Sequence, residues 1–192
     1  RPEMPGCDGS SLPFVEALLS AEVVAQETNR AATVVRRPLR LGTEDAWIEA
    51  RPCCSGKTVL QYELDYGPEG PIGRQTFEAI LSPEVFHREL APCRTFMLHE
   101  EALALKSRGL GQRTTCRDLL VFGPEGPIDN ELRFPDECVR HKLVDMVGDL
   151  ALAGRDLVGR FTAHRSGHRL NAELVRAMLA EAAADHVLRR CA

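Results

Sequence analysis

Apolar residues in the last third of the chain recur at the helical period. Between residues 134 and 154, Val139, Leu143, Met146, Val147 and Leu150 gather on one side when each residue advances by about 100°. Pro135, Asp136 and Glu137 suit a helix N-terminus and Gly154 suits a stop, so the pattern predicts a helix over 136–153. A last helix is expected over 172–190, with Asn171 as its N-cap. Near the start, Ser10 or Ser11 can cap a helix reaching about Ala25, with Pro13 in its first turn and Phe14, Ala17, Leu18 and Ala21 as its apolar side. Ser82-Pro83-Glu84 opens another helix carrying Val85, Phe86 and Leu90, and a short one is expected over 98–107, broken by Gly109-Leu110-Gly111.

Between these runs the period changes to two. Thr33-Val34-Val35 and Pro38-Leu39-Arg40-Leu41 alternate, Gly42-Thr43-Glu44-Asp45 turns, and Ala46-Trp47-Ile48-Glu49-Ala50 alternates again. Residues 58–66 form a further strand, with Leu60, Tyr62 and Leu64 opposite Val59, Gln61, Glu63 and Asp65. Strands are also expected at 75–81 and at Leu119-Leu120-Val121-Phe122. Gly-Pro-Glu-Gly-Pro-Ile occurs at 67–72 and 123–128, but the flanks differ, which makes two similar turns rather than a repeat. The polar stretch 26–30 reads as a linker. Together the elements predict an α+β fold, a mostly antiparallel sheet with two long helices on one face.

Composition narrows the function classes. At 192 residues the chain holds one ordinary domain plus a fragment, and 44% hydrophobic residues suffice for a core. A net charge of −4 and a pI near 5.9 argue against an electrostatic nucleic-acid binder. No apolar run approaches the ~20 residues of a membrane span, and no signal peptide is visible. The first residue is Arg within a Pro-rich stretch, so the N-terminus is expected to be cut, processed or incomplete. The cysteines are an odd seven with one adjacent pair and no Cys-x-x-Cys, which fits neither a disulfide framework nor a zinc ribbon and points to a reducing cytosol.

Opposite the apolar side of the 136–153 helix, the same period gathers Cys138, His141, Asp145 and Asp149. His141 and Asp145 stand at i and i+4, which places their Cβ atoms about 5–6 Å apart. Such a pair can converge on one ion at about 2.0–2.2 Å, and imidazole with carboxylate suits zinc or ferrous iron. A solvated surface pair is the other reading of that spacing. Gly148 would allow a close approach to the backbone. Cys138 is either a third ligand or a small buried hydrophobe. Further on, Ser166-Gly167 marks a turn with His168 directly after it, placed to act as an acid or base or to be an ordinary loop histidine.

These stretches together resemble the zinc-dependent UDP-3-O-acyl-N-acetylglucosamine deacetylase family of lipid A synthesis. The family's Phe-Val-Arg-His-Lys is present with Cys138 in place of Phe. Aspartates follow at four and eight residues past His141, and Ser-Gly-His-Arg-Leu-Asn about twenty residues later. Residues 2–15 and Ala-Pro-Cys-Arg-Thr-Phe at 91–96 are similar too, so the resemblance runs through nearly all of the chain. It implies a two-layer sandwich with a small βαβ insert near 97–125, residues 1–29 ending a first domain and 30–192 forming a second. It implies zinc on His141 and Asp145, and His168 as the acid that also helps stabilise the oxyanion. Asp149 would orient His168 and favour its charged form, and Lys142 and Thr95 would meet the substrate or tetrahedral intermediate. The insert would wall a passage for an acyl chain, with Leu103, Leu110, Cys116 and Leu119 as candidates; ordinary packing of a small subdomain is the other reading of each. The implied substrate is a nucleotide-sugar lipid precursor and the implied location the cytoplasm. The family's third ligand and water-activating base come from a His-Thr-x-Glu-His segment with no counterpart in these 192 residues. The chain is therefore expected to be an incomplete deacetylase with a missing N-terminal domain, binding zinc weakly by itself; the alternative is a non-catalytic module that keeps the fold.

Overall fold

A computed structural model of the chain describes residues 6–191. The expectations for residues 1–5 lie outside the described residues. The first element, α1 (Leu12–Ser20), carries Pro13 in its first turn but stops five residues earlier than expected and buries none of its side chains. Ser11 does not cap it with its side chain; its hydroxyl donates instead to the Ala91 carbonyl at 3.4 Å.

The strands β1 (Ala32–Val34), β2 (Leu39–Gly42), β3 (Trp47–Arg51), β4 (Thr58–Asp65) and β5 (Arg74–Ile80) follow the period-two pattern. Then comes α2 (Pro83–Val85), capped by the Ser82 hydroxyl, which accepts the Val85 N–H at 3.2 Å, and a π-helical turn over Phe86–Leu90. The small subdomain is β6 (Phe96–Leu98), α3 (His99–Ser107), β7 (Leu120–Gly123) and β8 (Gly126–Pro127). Here β6 runs parallel to β7 with α3 as the crossover, a βαβ unit, and β8 turns back antiparallel on β7. The chain ends with α4 (Glu137–Ala151), β9 (Asp156–His164) and α5 (His168–Cys191).

The sequence pattern predicts no strand over 156–164, yet β9 is the centre of the main sheet. The six-stranded order is β2-β3-β9-β4-β5, with β1 also paired to β9. The β2–β3, β3–β9 and β4–β5 pairings are antiparallel; β1 and β4 lie parallel to β9. Its alternation is regular, with Leu157, Gly159, Phe161 and Ala163 buried and the residues between them partly exposed. Gly159 is a steric requirement: a Cβ there would sit 2.7 Å from a Val35 methyl and 2.9 Å from the Arg51 carbonyl oxygen.

α4 and α5 cover one face of this sheet, which makes two layers. Ile48, Leu60, Tyr62 and Phe161 from the strands pack against Val139, Leu143, Met146 and Leu174 from the helices, all of them fully buried. Each such side chain contributes about 1.5–3 kcal/mol by leaving water. Cys138 belongs to this core, 1% exposed, with burial pushing its thiol up to about 12. It is the small buried hydrophobe of the two readings the sequence offered. Gly148 is exposed and a Cβ there would meet nothing within 4 Å, so the backbone faces open space. Among the described residues no helix is long and apolar enough to cross a membrane.

Candidate active site

The outer side of α4 brings His141, Lys142 and Asp145 to one end of a cleft of about 810 Å³, shared with Thr95, Tyr62 and Arg165. His141 is held from both ring nitrogens. Nδ1 lies 3.0 Å from the Cys93 carbonyl oxygen and Nε2 lies 3.4 Å from Asp145 Oδ1. A carbonyl oxygen only accepts, so Nδ1 carries the hydrogen that donates to it. Burial pulls the His141 pKa below its usual 6.5, more than Asp145 and the Cys93 carbonyl push it up. The ring is therefore neutral near pH 7, and its Nε2 lone pair faces a carboxylate oxygen. Two acceptors opposed in this way repel unless a cation lies between them, and an imidazole fixed by a backbone carbonyl is how proteins present a metal-ligating histidine. The residues present thus fit a divalent metal. Lys142 Nζ donates to Asp145 Oδ2 at 2.7 Å, leaving Oδ1 on the His141 side. Phe96 packs edge-on to the His141 ring at 6.3 Å, and Thr95 is half-buried beside it.

One turn along α4 stands a second pair. His168 Nδ1 lies 2.9 and 3.1 Å from the two oxygens of Asp149. Asp149 is also gripped by the Asn171 side-chain amide, which donates to Oδ2 at 2.8 Å, and the Ser166 hydroxyl donates to Asn171 Oδ1 at 2.7 Å. The buried Tyr62 hydroxyl donates to the Ser166 carbonyl, fastening the turn to the sheet, while Arg165 takes a left-handed conformation at φ 48°. Asn171 is therefore not the cap of the last helix. That helix already begins at His168, and Asn171 lies inside it, 1% exposed, as the link between Ser166 and Asp149. A signal existed in the sequence: Asn171 shares a helical side with Leu170, Leu174 and Val175, all buried. Nothing in the sequence pattern points to Cys93 or Tyr62 at the site, because a backbone carbonyl and a core tyrosine leave no motif.

Among the described residues no group of three or more His, Cys, Asp or Glu is arranged to hold a metal. In the βαβ subdomain a separate cavity of about 760 Å³ is lined by Leu103, Leu110, Cys116 and Leu119, with Met97 and Val121.

The half-buried His141 ties stability to pH. Its native pKa lies below the 6.5 of an unfolded chain, so the unfolded state binds more protons in that window and stability rises with pH. The contribution is complete above pH 6.5 and is lost as pH falls from there through the native value. Metal-free protein should show a drop in unfolding midpoint over that range that His141→Gln lacks; identical profiles would count against a neutral His141.

Residues 1–180 match the family model of UDP-3-O-acyl N-acetylglycosamine deacetylase, and the chain belongs to that family. The UDP-3-O-acyl-N-acetylglucosamine deacetylases of Brucella ovis, Brucella canis and Brucella suis are each 40% identical to it over 190 residues, covering 97% of this chain. The chain spans 65% of the length of these curated relatives.

Proposed function

We propose that this chain supplies part of the active site of a zinc-dependent amide hydrolase, one that removes the acetyl group from a UDP-3-O-acyl-N-acetylglucosamine in lipid A biosynthesis. The observation that carries the reading is the half-buried, neutral His141 whose Nε2 faces Asp145 Oδ1, one helical turn from the Asp149–His168 pair. His141 and Asp145 are the ligands this chain offers. When bound, the metal lowers the pKa of a water to about 7 and polarises the amide carbonyl. His168 is oriented by Asp149 through Nδ1, so its Nε2 is the atom that delivers a proton to the leaving amine. Lys142 brings positive charge beside Asp145 toward the substrate oxygen, and Thr95, which lines the same cleft, contacts the substrate. The apolar cavity beside Leu103 and Leu110 accommodates the acyl chain. Free thiols at Cys7, Cys53, Cys54, Cys93, Cys116 and Cys138 fit a cytoplasmic enzyme.

A catalytic zinc takes three protein ligands, and amide hydrolysis also needs a base for the water. With His141 and Asp145 alone, the 192-residue chain by itself should bind zinc weakly and release little acetate. Titration with zinc against a chromophoric chelator, together with an acetate-release assay, checks this; full turnover by the purified chain would show that residues within it complete the set. The function itself is tested in the full-length protein. Acetate release should stop on chelation and return with zinc, and a protein that deacetylates equally well after chelation would overturn the assignment.

A further inference from the structure

Cys93 and Arg94 share one peptide group, and α4 grips both of its ends. The C=O of Cys93 accepts from His141 Nδ1 at 3.0 Å, and the N–H of Arg94 donates to Glu137 Oε1 at 3.0 Å. A trans peptide is planar, with its C=O and N–H pointing in opposite directions. Glu137 and His141 stand four residues apart, one turn of the same helix. The peptide therefore lies along the helix axis, with its N–H toward the helix N-terminus and its C=O toward the metal-facing histidine.

The Glu137 grip is built with unusual redundancy. Its side chain is fully buried and that of Arg94 is 7% exposed. Besides the Arg94 N–H, Glu137 accepts from Arg94 Nε at 2.9 Å, from Arg94 Nη2 at 3.1 Å and from the Arg133 N–H at 2.7 Å. The remaining guanidinium contacts run to Asn130 Oδ1 at 2.7 Å and the Glu131 carbonyl at 2.6 Å, and Asn130 donates in turn to the Cys116 carbonyl at 2.7 Å. Removing two charges from water is expensive, and well-packed apolar residues of similar volume often hold such layers together equally well. An apolar pair would not, however, fix the orientation of the Cys93–Arg94 peptide.

We propose that Arg94 and Glu137 are a positioning pair. They hold the Cys93 carbonyl against His141 Nδ1 and so decide that Nε2 is the nitrogen presented to Asp145. The inference rests on His141 and Asp145 being metal ligands. It adds that ligand geometry is set by a buried ion pair that touches neither substrate nor metal.

The test uses full-length protein carrying Arg94→Met with Glu137→Leu, an apolar replacement expected to fold. In metal-free protein, nitrogen-15 spectra of the histidine rings report which His141 nitrogen carries hydrogen. The parent should show Nδ1–H and the double variant a mixture of tautomers. Zinc affinity should fall by about 10–100-fold, the usual effect of losing a partner behind a ligand. A merely structural pair would move the unfolding midpoint and leave the tautomer alone. A folded variant of a zinc-binding parent that keeps Nδ1–H and parental affinity overturns the inference. A parent whose His141 signals ignore zinc overturns the ligand assignment and the inference with it. Should the double variant not fold, Glu137→Gln, with one acceptor oxygen where there were two, should show the same tautomer change, and retention of the parental tautomer there is equally decisive against the pair.

Discussion

His168→Ala is expected to lower kcat of the full-length enzyme by about 10²–10⁴-fold, the range typical of a lost general acid, while bound zinc and the unfolding midpoint hardly change. The separation follows from geometry. The His168 side chain is 72% exposed and its polar contact is with Asp149, so its removal opens no cavity and breaks only a surface pair. Exposed pairs of this kind contribute about 0–1 kcal/mol. Asp149 keeps the Asn171 amide as a partner and remains seated. His141 and Asp145 belong to a different turn of α4 and a different set of contacts. Steady-state kinetics with zinc analysis of the same preparation decides the matter: a His168→Ala protein that has lost its metal would refute the division between ligands and acid.

Asp145→Ala should have the opposite profile. In full-length protein it should reduce bound zinc to below about one-tenth of the parental content, because a three-ligand site cut to two no longer holds the metal firmly, and activity should fall to the level of chelated enzyme. Its effect on the metal-free fold is the more telling measurement. In the metal-free state Asp145 Oδ1 faces the neutral His141 Nε2 across 3.4 Å, a repulsive contact, while Oδ2 is paired with Lys142 in partial exposure. Truncation removes a repulsion together with a weak ion pair, so the unfolding midpoint should stay level or rise. A large loss of stability without metal would mean that Asp145 is mainly a structural partner of Lys142.

Most of this architecture was legible before any coordinates, for reasons that differ between elements. α4 was read nearly to the residue, because an amphipathic period with an N-terminal Pro-Asp and a C-terminal glycine leaves little freedom. The strands from β2 to β5 alternate, except where Val59 and Leu60 of β4 are both buried, because one sheet face is covered by helices and the other is more open to water. β9 alternates just as well, but Gly159 in its middle reads as a strand breaker; it is there because Val35 packs against the bare backbone. Within the site, the i, i+4 spacing exposed His141 and Asp145, and the motif exposed Asp149 and His168. The groups that orient them were not legible. The Cys93 carbonyl and the Tyr62 hydroxyl reach the site through long-range packing, and a one-dimensional pattern carries no trace of it; for Asn171 the helical period marks a buried side but not the partners it bridges.

The central place of β9 also orders events in time. Strand β4 leaves the ribosome about 100 residues before its partner is complete at His164, roughly 5–20 s at ordinary rates of synthesis. Through that interval the β2–β3 and β4–β5 hairpins are two separate pieces, each with an open edge able to pair with a neighbouring nascent chain. Helix α4 is already made, but the sheet it must cover does not exist, so its histidine and aspartate have nothing to be positioned against. Only when β9 slots between the hairpins do both edges close, and α5, made last, then brings His168 to Asp149. The approach of His168 to Asp149 thus comes after the sheet has closed, and a ribosome stalled before residue 164 releases two sticky hairpins in place of a smaller version of the domain.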